Sequence, residues 1–175
     1  MKLIKSMFLL FLAGLMTLSA TAQSSAKTKD IVDVAAGSKD HTTLVAAVGA
    51  ADLVSTLKSA GLFTVFAPTN AAFAKLPAGT VDNLLKPENK ATLAGILTYH
   101  VVAGNLDAKA VMAAIKKGKG KVVLTTVAGG KLKASIVGGK VILTDEKGGK
   151  ATVTATDLKG TNGVIHVINA VLMPK

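Results

Sequence analysis

The chain has 175 residues, among them 21 lysines, ten acidic residues, no arginine and no cysteine. Half of the residues are apolar, which excludes a disordered chain, and the length allows one domain, or one domain behind a leader. The absence of cysteine excludes disulfides, a cysteine-based zinc site and a cysteine nucleophile.

The N-terminal segment, residues 1–22, has the pattern of a secretory signal peptide. Two lysines precede an uncharged apolar run, and the small residues Ala20 and Ala22 occupy the −3 and −1 positions of a cleavage site. The apolar run is shorter than the roughly 20 residues that a membrane-spanning helix needs. We therefore predict cleavage between Ala22 and Gln23, a short polar tether over residues 23–29, and a secreted or periplasmic mature protein without a transmembrane segment.

Helical periodicity governs most of the chain between Asp30 and Gly118. Apolar side chains recur three and four residues apart in the stretches 31–35, 44–57, 93–97 and 111–115. Asp40 and Asp107 are predicted N-caps, and Gly61 and Gly118 stand where helices should end. The side chains expected to be buried in the last two helices are Leu93, Ile96, Leu97, Val111, Met112 and Ile115.

One short strand is predicted inside this helical half. The run FTVFA over residues 63–67 is rich in β-prone residues and is stopped by Pro68. Thr69 or Asn70 can then cap a short helix through Phe73. We expect the strand to join the sheet formed by the later part of the chain.

From Lys121 onward the pattern is that of strands in hairpins. The β-prone runs, separated by glycine-rich turns, cover residues 122–126, 131–137, 140–144, 151–155 and 164–172. Helices first and strands later predict one α+β domain over residues 30–175, rather than a regular alternation of strands and helices.

Sequence motifs of catalysis are absent. The chain has no nucleophile elbow, no P-loop, no dinucleotide-binding fingerprint and no zinc-protease motif. His41, His100 and His166 lack the short spacing of metal ligands. We therefore expect no cofactor, no metal and no catalysis. The alternative, a hydrolase using His100 or His166, requires an accessible imidazole within hydrogen-bond reach of a carboxylate.

A lysine cluster suggests a second kind of function. It consists of Lys116, Lys117, Lys119 and Lys121. The absence of arginine and the scarcity of aromatic residues argue against specific binding of nucleic acid. The cluster is either a solvated helix end or a contact for anionic polymers, such as surface polysaccharide or the lipid headgroups of an anionic envelope.

Three segments of the chain share the order and spacing of one known domain family. They are TVFAPTNAAF (64–73), ILTYHVVAG (96–104) and NGVIHVINAVLMP (162–174). Together they resemble the fasciclin-like domain family of extracellular adhesion modules, in a single-domain secreted member of bacterial type. The resemblance implies an α+β fold in which N-terminal helices pack around a twisted β-strand wedge formed mainly by the C-terminal half. It also implies non-catalytic binding of cell-surface or extracellular-matrix proteins or polysaccharide.

The resemblance also draws attention to Tyr99 and His100. In animal members the matching tyrosine–histidine pair has been linked to integrin recognition, so these two residues are candidate partner contacts. The alternative is a structural role, because the apolar residues on both sides of the pair predict burial. Asn70 and Asn169 stand where relatives often have Asp, so two negative charges are missing.

Overall fold

The computed structural model describes residues 29–175. The predicted signal peptide, residues 1–22, and nearly all of the predicted tether, residues 23–29, lie outside the described residues. The helices are α1 (Ile31–Ala36), α2 (Thr42–Ala50), α3 (Val54–Lys58), α4 (Asn70–Phe73), α5 (Thr80–Leu84), α6 (Lys90–Tyr99) and α7 (Ala108–Lys117). The strands are β1 (Phe63–Pro68), β2 (Val101–Ala103), β3 (Lys121–Thr125), β4 (Lys131–Val137), β5 (Lys140–Thr144), β6 (Lys150–Gly160) and β7 (Gly163–Ile168). Single 3₁₀ turns at Lys39–His41 and Pro87–Asn89 lead into α2 and α6.

The strands of the described residues form one seven-stranded sheet in the order β2-β1-β7-β6-β5-β4-β3. β1 and β7 run parallel, and the other neighbours run antiparallel. A bridge between Val102 and Thr126 brings the two outer strands together, so the sheet is nearly closed. The α+β fold is confirmed, and the early strand joins the later sheet as expected.

Two apolar cores hold the domain together. The first lies between the helices α1–α6 and the strands β1 and β7. The second is enclosed by α7 and the inner side of β3–β6, where alternate side chains such as Leu132, Ala134 and Leu143 are fully buried. Each large apolar side chain buried there contributes about 1.5–3 kcal/mol.

Several predicted helix ends are confirmed and two are wrong. The side chains of Thr69 and Asp107 cap α4 and α7 by accepting hydrogen bonds from backbone amides, and Gly118 ends α7. Asp40 is not an N-cap: it lies inside a 3₁₀ turn, and Asn70 Oδ1 accepts from the Thr43 amide near the start of α2. Gly61 does not end a helix either, because α3 stops earlier, with Ser59 as its C-cap.

Other differences from the predictions concern short elements and one side chain. α5 and β2 were not expected, since segments of five and three residues are too short to show a period. Met112 was expected inside but is 38% exposed. β6 is longer than predicted because register shifts let it continue past Asp157, a residue with a positive φ of 61°.

A close backbone approach on which this fold depends lies between β1 and β7. A Cβ added at Gly163 would overlap the carbonyl oxygen of Phe63 on the paired strand. We expect Gly163→Ala to lower the free energy of unfolding by about 1–3 kcal/mol, through forced separation of the strands. Urea unfolding of the wild type and the variant measures this difference.

Gly49 in α2 provides the matched control. A Cβ at this position meets nothing within 4 Å. Gly49→Ala should leave stability unchanged or raise it by up to about 1 kcal/mol, because alanine is the better helix former. Equal unfolding midpoints for wild type and Gly163→Ala would show that the β1 and β7 backbones leave room for a methyl group.

Candidate functional site

Tyr99, the last residue of α6, points into the second core. Its side chain is fully buried, and its hydroxyl donates to the Lys131 carbonyl oxygen at 2.8 Å. The Tyr99 hydroxyl oxygen in turn accepts from the Glu146 amide at 3.2 Å. The ring lies against Gly130, where an added Cβ would come within 2.6 Å of it. Burial raises the pKa of the hydroxyl, which therefore stays protonated and able to donate.

His100 follows directly and is also buried, with 2% of its surface exposed. Its Nδ1 lies 2.8 Å from the Ile96 carbonyl oxygen, so Nδ1 carries the proton and donates. Its Nε2 accepts from the Leu172 amide at 3.0 Å. Burial lowers the pKa of His100 to about 4, so the ring is neutral at physiological pH.

The pair therefore connects α6 with distant parts of the chain. Tyr99 joins α6 to the first residue of β4 and to the turn after β5, and His100 joins it to the C-terminal segment. These contacts are typical of a structural role for Tyr99 and His100, which was the alternative to direct partner contact. A partner reaches either side chain only after local opening, and direct partner contact by the pair stays a prediction.

His166 on β7 is 2% exposed and stacks on Phe66, with ring centroids 5.6 Å apart. Its Nε2 donates to the Leu106 carbonyl oxygen at 2.7 Å, and its Nδ1 has no partner among residues 29–175. The ring borders a cavity of about 340 Å³ between α7 and the strands β5–β7. Apolar side chains such as Val111 and Val153 line most of this space.

The hydrolase alternative gains no support from this geometry. Both ring nitrogens of His100 are engaged by backbone groups. In the described part of the chain, no hydrogen bond joins His100 or His166 to a carboxylate, and no three His, Asp or Glu side chains come together as metal ligands. Asp145, the acid whose charge acts on His100, accepts three backbone amide hydrogen bonds instead.

The predicted lysine cluster lies where α7 ends and β3 begins. Lys116 and Lys117 occupy the last turn of α7, Lys119 follows in the left-handed conformation with φ of 57°, and Lys121 opens β3. All four side chains are exposed. Sequence reasoning missed further exposed lysines that the strand register places on the adjoining sheet. They are Lys131, Lys133, Lys140 and Lys150, and the alternation of lysine with buried residues could have revealed them.

The two asparagines act through their amide groups. Asn70 Nδ2 donates to the Lys39 carbonyl oxygen at 2.9 Å, a bond that an aspartate could not make. Asn169 Oδ1 accepts from the Thr152 amide at 2.8 Å, a bond that an aspartate could also accept. An aspartate at position 70 would lose this donated bond, whereas an aspartate at position 169 could keep the accepted one. Both side chains serve to connect separate elements of the fold.

A family model and several known proteins match most of this chain. A family model described as Fasciclin domain matches residues 39–174. The protein sll1483 of Synechocystis is 51% identical over 156 residues, which cover 89% of this chain and 78% of that protein. The immunogenic protein MPT70 of Mycobacterium tuberculosis is 40% identical over 152 residues, covering 83% of this chain and 70% of that protein.

Two comparisons with animal proteins agree with this match. The transforming growth factor-beta-induced protein ig-h3 of Sus scrofa is 38% identical over 144 residues, which cover 82% of this chain but 19% of that protein. A solved pair of FAS1 domains from the insect cell adhesion molecule Fasciclin I superposes with a TM-score of 0.60 at 22% identity, covering 72% of this chain and 42% of that chain. At that identity the superposition shows the fold.

Proposed function

The chain belongs to the fasciclin domain family, and from this premise we propose that it is a non-catalytic interaction module of the cell-adhesion type. The observation that carries the proposal is the family match over residues 39–174. Its partners would be proteins or polysaccharides of a cell surface or extracellular matrix. The burial of Tyr99 and His100 supports a rigid body that binds through its outer faces.

The proposal includes export of the protein. Residues 1–22 would act as a cleaved signal peptide, residues 23–29 as a tether, and residues 30–175 as the fasciclin domain. α6 and α7, the longest helices between Lys29 and Lys175, have ten residues each, and none of the described helices qualifies as a membrane span. N-terminal sequencing of the exported protein should begin at Gln23; an exported chain that still begins at Met1 would contradict the cleavage.

Attachment of cells tests the adhesion function. The mature protein is coated on a surface, and cells or matrix components are applied at increasing concentration. We expect saturable binding to the folded domain and none to the same protein coated after denaturation, because binding depends on faces that only the fold assembles. Equal retention on folded protein, denatured protein and bare surface would contradict the proposed function.

A second candidate function is the binding of anionic polymers. The observation that favours it is an uneven distribution of charge within the domain. Residues 109–175 contain 12 lysines and three acidic residues, whereas residues 29–108 contain six lysines and seven acidic residues. The positive charge of the domain thus belongs to α7 and the antiparallel strands, the region that includes Lys116, Lys117, Lys119 and Lys121.

A further inference from the structure

We propose that the outer side of the sheet formed by β3–β6 is a docking surface for an extended acidic polysaccharide. The inference rests on the proposed role as an interaction module, and it names the surface and the chemistry of one partner. We call this surface the lysine face. Its charged residues are Lys121, Lys131, Lys133, Lys140 and Lys150.

The strand register places these lysines on one side of the sheet. Lys133 on β4 pairs with Thr144 on β5, which pairs with Lys150 on β6. Because cross-strand partners point to the same side, these three side chains form one row. Lys131 and Lys121 share the side with Lys133, since Lys131 lies two residues away on β4 and Lys121 pairs with Ser135.

The other side of the same strands is the second core. Leu132, Ala134, Leu143 and Ala151 alternate with the lysine-face residues and have no exposed surface. Burial of this side fixes the register, because a shift by one residue would bring lysines into the core. The lysine face is therefore held outward by the fold itself, and all five of its lysines are exposed in the described structure.

The positive charges of this face are not neutralised locally. The strands β3–β5 and the first half of β6 contain no acidic residue. The ion pairs within residues 29–175 involve Lys58, Lys86 and Lys90, none of which belongs to the face. At the nearest turn, Asp145 accepts three backbone amides and Glu146 accepts the Lys131 amide, and neither acid forms an ion pair with a lysine of the face.

Spacing favours a polymer over a single anion. Lys131 and Lys133 lie about 7 Å apart along β4, and Lys133 and Lys150 lie about 10 Å apart across the sheet, by the standard repeats of strands. Positive charges repeated over a broad open surface suit a partner whose negative charges also repeat. Lys140 borders the cavity between α7 and β5–β7, whereas the other lysines of the face extend along and across the strands.

The residues between the lysines favour sugar among the polyanions. Thr125, Ser135, Thr144 and Thr152 lie on the same side and offer hydroxyls that both donate and accept, as sugar hydroxyls do. The face has no aromatic side chain on which a nucleic-acid base could stack. It also lacks the large apolar anchors that insert into a membrane surface, since its exposed apolar side chains are valines.

Two charge-matched variants test the proposal. The face variant replaces Lys121, Lys131, Lys133 and Lys150 with Gln. The control variant replaces exposed lysines outside the face, Lys39, Lys86, Lys109 and Lys159, with Gln and loses the same charge. A double variant, Lys133→Gln/Lys150→Gln, replaces the face variant if the fourfold change prevents folding. We expect the double variant to lose less binding than the fourfold variant. Melting curves confirm the fold of each protein.

Binding is measured against heparin, alginate, uncharged dextran, and vesicles of phosphatidylcholine containing phosphatidylglycerol. We expect wild type to bind heparin or alginate but not dextran, with affinity falling between about 50 and 200 mM salt. The face variant should bind about tenfold or more weakly, and its log–log salt slope should fall by up to about 1 for each lysine removed. The control variant should stay close to wild type.

Three outcomes would overturn the lysine face. They are equal losses in the face and control variants, preference for the charged vesicles over both polysaccharides, and no binding of wild type to heparin or alginate. Cell attachment to the wild-type protein is measured in parallel. If cells attach to the wild-type protein but neither polysaccharide binds it, the lysine face is rejected and the proposed adhesion function is not.

Discussion

Replacing Tyr99 with Ala is expected to lower the free energy of unfolding by about 3–5 kcal/mol. The ring is fully buried in the second core, and its removal leaves a cavity beside Gly130. The change also removes the hydrogen-bond partner of the Lys131 carbonyl oxygen and of the Glu146 amide. Urea or thermal unfolding of the purified domain measures the loss.

Tyr99→Phe is the matched control for this prediction. It keeps the ring and removes only the hydroxyl, so we expect a loss of about 1–3 kcal/mol from the two backbone groups left without that partner. Both variants should still bind partners at temperatures where they remain folded. A Tyr99→Ala protein that melts like wild type but no longer binds would instead assign this residue to direct recognition.

Stability is expected to fall as the pH is lowered from about 6.5 to about 4, with His100 contributing about 3 kcal/mol. Burial lowers the pKa of His100 from 6.5 to about 4 in the folded protein. Between these values the unfolded chain binds a proton that the folded chain does not. The free energy of unfolding therefore increases with pH in this window and decreases on acidification. Urea unfolding at a series of pH values measures the slope.

His41 must be separated from His100 in this experiment, because burial lowers its pKa too. The variant His100→Gln should lose the larger part of the slope in this window, and His41→Gln should lose a smaller part. His41 is mainly affected by burial, and the neighbouring Asp40 opposes the shift. A pH slope that is unchanged in His100→Gln would show that the buried neutral imidazole does not control acid stability.

The parts of the fold that the sequence predicted are those where a local pattern is strong. The bounds of β4 and β5 follow from strict alternation between glycine pairs, such as Gly138-Gly139. The capping role of Asp107 follows from its position directly before an amphipathic segment. These features depend on residues within one or two turns of each other, so the sequence contains enough information to place them.

The parts that were missed depend on residues far apart in the chain. The start of α2 was misassigned because Asn70, 27 residues after Thr43, supplies the hydrogen bond expected from Asp40. The contact between His100 and the Leu172 amide spans 72 residues. No local pattern contains such pairings, which arise only when the sheet brings distant segments together.

In the candidate site, too, local sequence patterns predicted some features and only the fold shows the others. The resemblance identified Tyr99 and His100, and apolar neighbours indicated their burial, but only the fold shows which backbone groups they hold. The lysine cluster of residues 116–121 was visible as a run in the sequence. The lysine face was not, because its members lie on four strands whose register had to be known first.

The central claim is that the family's motif residues build the core while the outer faces bind partners. It is tested most directly by measuring the melting temperature and cell attachment side by side for wild type, Tyr99→Phe and the fourfold face variant. We predict that Tyr99→Phe melts at a lower temperature and attaches cells normally, whereas the face variant melts like wild type and attaches them more weakly. A folded Tyr99→Phe protein that has lost attachment, beside a face variant that attaches cells like wild type, would contradict the claim.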